Sequence, residues 1–251
     1  MDRIARFFDA DNAGFQDDLD LVQAYAQRTG GPILELGCGT GRLLAPLLDA
    51  GLEVTGVDVS AGMLEVAQSK LDALGAKARC RLIAGDYTQI DLQGPYPLAI
   101  SAMNTFMHLV DPAAQLGALR HWRKHLKPGG LLILDLFNPD VAELATLDGH
   151  LQLEKTWLDT DTGCTVMKQV SRTLDQINQL VHVTFVYDEL APDGALHRSL
   201  SEFDMRYLWP AEAQLLLDIA GYRMEAMYGD WDLSDLVDGS PRLIIVAERK
   251  R

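Results

Sequence analysis

Nowhere in the chain do about 20 apolar residues run unbroken, and no apolar segment of signal-peptide type precedes the first acidic residues. Neither a membrane-spanning helix nor a secretory leader is expected, which points to a cytoplasmic protein without a membrane partner. Cysteine is scarce: Cys38, Cys80 and Cys164 lie far apart, with no Cys-x-x-Cys and no Cys-His pairing. That spacing suggests neither a disulfide framework nor a zinc site, and no metal is expected. Basic charge is also short. Lys+Arg total 22 against Asp+Glu 36, a formal net charge of -14, so a nucleic-acid partner would meet a repulsive mean field. The short basic clusters around Lys77, Arg79 and Arg81 and around Arg120, Arg123 and Lys124 have the form of solvated faces. Internal repeats, low-complexity segments and interdomain linkers are absent too, and 251 residues can bury one large domain, or one domain with an insertion.

What is present is concentrated in residues 33–58. An apolar run ends in Glu35-Leu36-Gly37-Cys38-Gly39-Thr40-Gly41, and a second ends in Asp58. Three glycines at alternate positions, between a strand and the helical pattern of residues 42–49, let the backbone turn sharply and approach a ligand. A carboxylate at the end of a buried parallel strand, Asp58, can accept hydrogen bonds from ribose hydroxyls. Both features converge on a nucleoside. The dinucleotide fingerprint Gly-x-Gly-x-x-Gly is missing, however, because the third glycine comes one residue early.

With Glu35 ahead of the first glycine, this stretch resembles motif I of the class I, seven-stranded S-adenosylmethionine-dependent methyltransferases. Further along, Gly85-Asp86-Tyr87 after the short strand 80–84 resembles the family's adenine-end motif. The apolar strand 97–103 leads into Asn104-Thr105-Phe106-Met107-His108-Leu109, where the family places residues near the transferable methyl group, and Leu126-Lys127-Pro128-Gly129-Gly130 supplies a common helix-to-strand punctuation. The resemblance implies S-adenosylmethionine as cofactor. It implies Glu35, Gly37, Cys38, Gly39 and Gly41 around the methionine part, Asp58 at the ribose with Val59 and Met63 beside it, Asp86 and Tyr87 at the adenine, and Asn104 near the methyl group. Phe8, in the N-terminal segment with Phe7, Asp9 and Phe15, stands where several relatives carry a Tyr that closes over the cofactor; the alternative is an amphipathic helix packing its phenylalanines.

Residues 33–138 alternate strands with helical stretches, the pattern of a doubly wound, mostly parallel, Rossmann-like sheet of α/β class. Beyond residue 140 the rhythm becomes strand on strand: segments 151–158, 165–173, 179–189 and 195–207 are extended candidates separated by turn chemistry at Asp161-Thr162-Gly163, Asp175-Gln176 and Pro192-Asp193-Gly194. Alternation of Val181, Val183, Phe185 and Tyr187 with His182, Thr184 and Asp188 predicts one buried and one polar face. A helix over 210–220, stopped by Gly221, and strands over 222–228 and 242–248 then complete seven strands. The expected organisation is a cofactor-binding core of residues 1–140 and 208–251 with an inserted antiparallel β-sheet over 141–207. That insertion resembles the lid of small-molecule methyltransferases. The loop 229–241, with Trp231, is either a surface hairpin loop or part of the pocket rim.

The expected activity is methyl transfer to a nitrogen or oxygen of a small-molecule acceptor, achieved mostly by positioning. His108, at the carboxyl edge of the sheet, is the candidate base, with a structural histidine as the alternative. Arg172, His182, Arg198, Arg206 and Tyr207 are the candidate acceptor contacts in the lid. Two other functions stay open, a cofactor-binding regulatory or partner subunit without turnover and a methyltransferase acting on a protein or nucleic acid; a nicotinamide-dependent oxidoreductase would need the missing Gly-x-Gly-x-x-Gly and a hydride-transfer acid, and neither is present. A homodimer is compatible with all of these.

Overall fold

The computed structural model describes residues 4–75 and 79–251, so Lys77 lies outside it. Two helices, α1 (Ala5–Asn12) and α2 (Leu19–Thr29), precede the main sheet. The sheet then grows by β-α steps: β1 (Ile33–Leu36), α3 (Leu44–Asp49), β2 (Val54–Asp58), α4 (Ala61–Leu74), β3 (Cys80–Ala84), β4 (Tyr96–Ser101), α5 (Pro112–His125) and β5 (Leu126–Phe137). A short helix α6 (Val141–Leu144) leads into the antiparallel insertion β6 (Gln152–Leu158), β7 (Thr165–Asp175), β8 (Leu180–Leu190) and β9 (Leu196–Arg206), followed by α7 (Pro210–Ala220), β10 (Tyr222–Tyr228) and β11 (Arg242–Arg249).

Spatial order in the large sheet is β10-β11-β5-β4-β1-β2-β3, and β6-β7-β8-β9 form a second, four-stranded sheet. Neighbours from β3 to β5 pair in parallel, whereas β11 runs antiparallel to both β5 and β10. The order reverses between β1 and β4, the switch point at which open α/β sheets bind ligands. Parallel strands buried on both faces read as continuous apolar runs, and β1 and β4 are buried at every residue. One core cluster joins Leu34, Leu36 and Trp122 to Val170, Val181 and Val183 of the second sheet, so the insertion is packed into the main fold. A smaller cluster of Ile4, Phe7, Val166 and Tyr187 fixes α1 to that sheet, with Phe7 stacked on Tyr187 at 5.0 Å between ring centroids.

Three local expectations are corrected by tertiary contacts. The helical pattern at residue 42 starts only at Leu44, because the Arg42 side chain reaches back to Asp18 at 2.7 and 2.5 Å and Leu43 serves as the N-cap. Strand β5 begins at Leu126 rather than beyond Gly130, since Leu126 already pairs with Tyr96; residues 127–130 form an irregularity before Leu131 pairs with Leu98. Gly130 allows it: a Cβ there would meet Lys127 O at 2.9 Å. Finally, Asp188 belongs to the face predicted to be polar, yet it is buried, because Arg198 and Gln169 bond to its carboxylate.

Candidate active site

The carboxyl ends of β1, β2 and β4 open onto a cavity of about 690 Å³, roofed by the second sheet and by α1. Its floor is the glycine loop. Gly37 and Cys38 both donate their N–H to Val57 O, at 2.8 and 3.0 Å, which folds the loop back over β2. Gly37 has φ +75, and a Cβ there would lie 2.3 Å from Thr105 Cγ2, so only glycine fits. Asp58 holds the same loop from the other side: its Oδ2 accepts from Gly39 N and its Oδ1 from Ser60 N, each at 2.8 Å. Ser60 in turn caps α4 by accepting from Met63 N at 3.2 Å. Cys38 is buried, and burial pushes its thiol far up from its ordinary range, so it stays protonated and unreactive.

Glu35 is the most unusual group in the cavity. It is 4% exposed, and its Oε2 has no hydrogen-bond partner among the described residues. Burial raises its carboxyl from 4.5 to about 8; the nearby Arg42 charge opposes this, while Asp18 and Asp58 add to it. Arg42 cannot neutralise Glu35 fully because its guanidinium is already held by both oxygens of the buried Asp18 and lies 4.9 Å from the Phe15 ring centroid. The wall thus presents a buried carboxyl with an open lone pair, which an incoming cation would satisfy.

The end of β4 is held in an uncommon conformation. Met103 and Asn104 have φ of 49 and 65, values that disfavour most side chains. Asp135, a single carboxylate in the apolar run of β5, makes this tolerable: its Oδ2 accepts from Met103 N at 2.9 Å and its backbone O accepts from Asn104 N, also at 2.9 Å. Arg242 neutralises Asp135, with Nε to Oδ1 at 2.9 Å, and also donates to Asn104 Oδ1 at 3.2 Å. Trp231 Nε1 donates to Asp135 Oδ1 at 3.3 Å while its ring carries the Arg242 guanidinium at 4.8 Å. The loop 229–241 therefore buttresses the site through Trp231.

The roof is charged. Lys168, only 8% exposed, bonds Asp11 of α1 at 2.6 Å and Glu154 at 2.7 Å, and Glu154 also accepts from Arg172 at 2.8 Å. Burial works against the Glu154 carboxylate, but the bonds from Lys168 and Arg172 outweigh it and hold the group below its ordinary value. His108 closes a 3₁₀ turn at Thr105–His108, with its ring 5.2 Å from that of Phe203. His108 is exposed at the cavity mouth, yet the surrounding protein atoms desolvate the ring enough to lower its pKa, against a backbone hydrogen bond with Asp204 and the charge of Asp58. Near neutral pH the imidazole is uncharged.

Of the residues singled out from the sequence, Phe8, Glu35, Gly37, Cys38, Gly39, Asp58, Val59, Met63, Tyr87, Asn104 and His108 all line this cavity. Gly41 and Asp86 do not. Gly41, at φ +76, packs against Leu44 and Ala67, where a Cβ would meet side-chain atoms at 3.0 and 3.1 Å. The Asp86 carboxylate caps its own turn, accepting from Thr88 N at 2.8 Å and Thr88 Oγ1 at 2.7 Å, and faces an adjoining groove that shares Val59 and Tyr87 with the cavity. Among the lid candidates Arg172 alone lines the cavity. Arg198 is engaged by Asp188, His182 by Asp204 at 2.6 Å, and Arg206 by Glu212 and Gln115, while Tyr207 is buried in the core. Sequence reasoning missed Asp18, Arg42, Asp135, Arg242, Lys168 and Glu154. A charge isolated in an apolar strand, as at Asp135, is the signal that could have found one of them.

Residues 33–130 match the family described as a methyltransferase domain. Along almost its whole length the chain is similar to the cypemycin N-terminal methyltransferase of Streptomyces sp, with 27% identity over 231 residues that cover 91% of this chain and 87% of that protein. Among solved structures it is similar to the CcbJ methyltransferase of Streptomyces caelestis, with 26% identity, a TM-score of 0.79, and 96% of this chain and 92% of that one covered. These likenesses show an S-adenosylmethionine-dependent methyltransferase. The fold is also shared with CalS10 of Micromonospora echinaspora, an amino pentose methyltransferase solved with S-adenosylmethionine bound, at 20% identity and a TM-score of 0.71 over 94% of this chain and 91% of that one. This methyltransferase uses S-adenosylmethionine as cofactor, and its residues fit that molecule. The cofactor carries an ammonium, for which the unpartnered Oε2 of Glu35 is the matching buried carboxyl oxygen. A Cβ on Gly39 would face open space, so without one the loop leaves its backbone accessible to the ligand.

Proposed function

We propose that this methyltransferase acts on the amine nitrogen of a small-molecule acceptor, with residues 1–140 and 208–251 forming the cofactor-binding core and residues 141–207 the lid over the acceptor. One observation carries the reading: a single cavity joins the glycine loop and the open carboxyl of Glu35 to the lid. Preference for an amine is supported by relatives whose names denote N-terminal and amino pentose methylation. The net charge of -14 supports a partner other than nucleic acid, and three free thiols among the described residues are in keeping with a cytoplasmic location. Self-association would use the outer face of the lid, where Leu153, Leu158, Leu196 and Leu200 are exposed.

The mechanism follows from what these residues can do. Bound S-adenosylmethionine supplies an electrophilic methyl group on its sulfonium. Glu35 would hold the ammonium, Gly37, Cys38 and Gly39 the chain beside it, and Asp58 the ribose. Val59, Met63 and Tyr87 would flank the nucleoside, with Asp86 beyond them at the adenine end. Phe8 and the lid exclude water. Asn104 and His108 face the acceptor, which must be held with its nitrogen ~3–3.5 Å from the methyl carbon; orientation of this kind lowers barriers by ~7–11 kcal/mol. An amine arrives largely protonated, and the neutral imidazole of His108 takes that proton before transfer.

The test is a calorimetric titration with S-adenosylmethionine, S-adenosylhomocysteine and NAD in parallel, followed by a screen of amines and alcohols for methyl incorporation. Binding of both adenosyl ligands and methylation of amines are expected. Binding of NAD alone, or methylation confined to hydroxyls, overturns the proposal.

A further inference from the structure

A second cavity, of about 490 Å³, lies between the end of β5, α6 and the lid strands, and it shares Asn104, Arg172 and Met205 with the cavity above the glycine loop. At the opposite end, the groove beside Asp86 shares only Val59 and Tyr87 with that cavity. If the glycine-loop half holds the cofactor, as proposed above, an acceptor must approach from beyond Asn104, and the second cavity is the space that continues in that direction. Its character is mixed in a defined way. The floor is apolar, formed by Phe137, Leu144, Leu147, Val170 and Val181, and the rim carries Asp140, Glu143 and Asp148.

Arg172 stands where the two cavities meet. One nitrogen donates to Glu154 at 2.8 Å, which orients the guanidinium, and its other donors have no partner among the described residues. Oriented donors of this kind recognise an oxygen acceptor. The rim carboxylates of Asp140 and Glu143 disfavour an anion there, whereas Asp148 is paired with His150 at 2.6 Å and Glu154 with Lys168 and Arg172, which leaves a neutral carbonyl oxygen as the matching group. We infer that the second cavity is a distal acceptor subsite, and that the acceptor is an amine bearing a neutral carbonyl, bound by Arg172, and an apolar body, bound over Leu144, Leu147 and Val181. This rests on the reading of the first cavity as the cofactor site.

The test uses three probes titrated into the S-adenosylhomocysteine complex: phenylalanine amide, glycine amide and phenylalanine. Phenylalanine amide should bind at least about tenfold more tightly than glycine amide, because only it buries a large apolar group, and more tightly than phenylalanine, whose carboxylate meets the acidic rim. Leu147→Trp and Gln152→Trp fill the cavity from two sides; each should abolish the advantage of phenylalanine amide while leaving S-adenosylhomocysteine affinity unchanged. Arg172→Met should weaken both amides. Equal binding of the two amides, no binding of any probe at millimolar concentration, or undiminished binding of phenylalanine amide by both filled variants overturns the inference. Failure of S-adenosylhomocysteine itself to bind would instead remove the cofactor assignment beneath it.

Discussion

Lowering the pH should weaken cofactor binding through one residue. In the free protein Glu35 Oε2 has no partner among the described residues, and burial holds the carboxyl protonated up to about pH 8. A bound ammonium needs the ionised form, so below pH 8 binding must first expel a proton. The cost grows by about 1.4 kcal/mol for each pH unit. Affinity for S-adenosylhomocysteine should therefore fall about fifty-fold between pH 8 and pH 6, or roughly 2 kcal/mol. The ligand amine loses its own proton toward alkaline pH, which sets the upper end of the window. Calorimetry in two buffers of different protonation heat counts the protons released, which should be close to one at pH 6 and about one half at pH 8. Glu35→Gln has no proton to lose and should bind with an affinity that hardly changes across this range. A flat profile in the wild type, with no proton released at pH 6, would refute the argument.

Other outcomes follow from the same geometry. Because folding raises the Glu35 carboxyl from 4.5 to about 8, its stabilising contribution is complete below pH 4.5 and lost as pH rises through 8; Glu35→Gln should thus raise the melting temperature of the ligand-free protein at pH 8.5. Asp58→Ala removes the acceptor for Gly39 N and Ser60 N, so cofactor affinity should drop by ~1–3 kcal/mol, and an unchanged dissociation constant would show the loop to be held by other contacts. Arg242→Met strands the buried Asp135 carboxylate without its cation; chemical denaturation should register a loss of about 3–5 kcal/mol, and a loss below 1 kcal/mol would show that Trp231 and the backbone suffice. His108→Ala should slow turnover of the amine returned by the screen, with cofactor affinity intact, and at saturating cofactor wild-type turnover should decline only at pH below 6.5, because desolvation lowers the imidazole pKa.

Local chemistry was legible in the sequence where it alone decides the structure. Helix α7 spans Pro210–Ala220 as predicted, because Pro210 occupies its first turn and Gly221 adopts φ 90 to stop it, and the glycine loop needed no partner to be recognised. Pairings across long stretches of chain were not legible. Arg42 was assigned to a helix because nothing near it in sequence announces Asp18, and Asp188 was assigned to solvent because its partner Arg198 lies on the next strand. Asp86 is a local case at the candidate site: a short polar residue can bond its own turn, and its carboxylate accepts from Thr88 and Gln89. The seven strands of the large sheet and the four of the antiparallel insertion are those expected from the strand rhythm, whereas their spatial order and the antiparallel run of β11 were not legible in it.

The anchoring of Asn104 and Asp135 by Arg242 also sets the time at which this protein can bind its cofactor during synthesis. The glycine loop leaves the ribosome early, but the residue that secures the facing wall belongs to the last strand, about two hundred residues later; at ~5–20 residues per second the gap is roughly 10–40 s. Throughout that interval the nascent chain holds half a site, so cofactor cannot act as a template for folding the first strands. Ribosome-arrested chains that end before Arg242 should leave S-adenosylhomocysteine unbound, whereas chains arrested with β11 fully emerged should retain it.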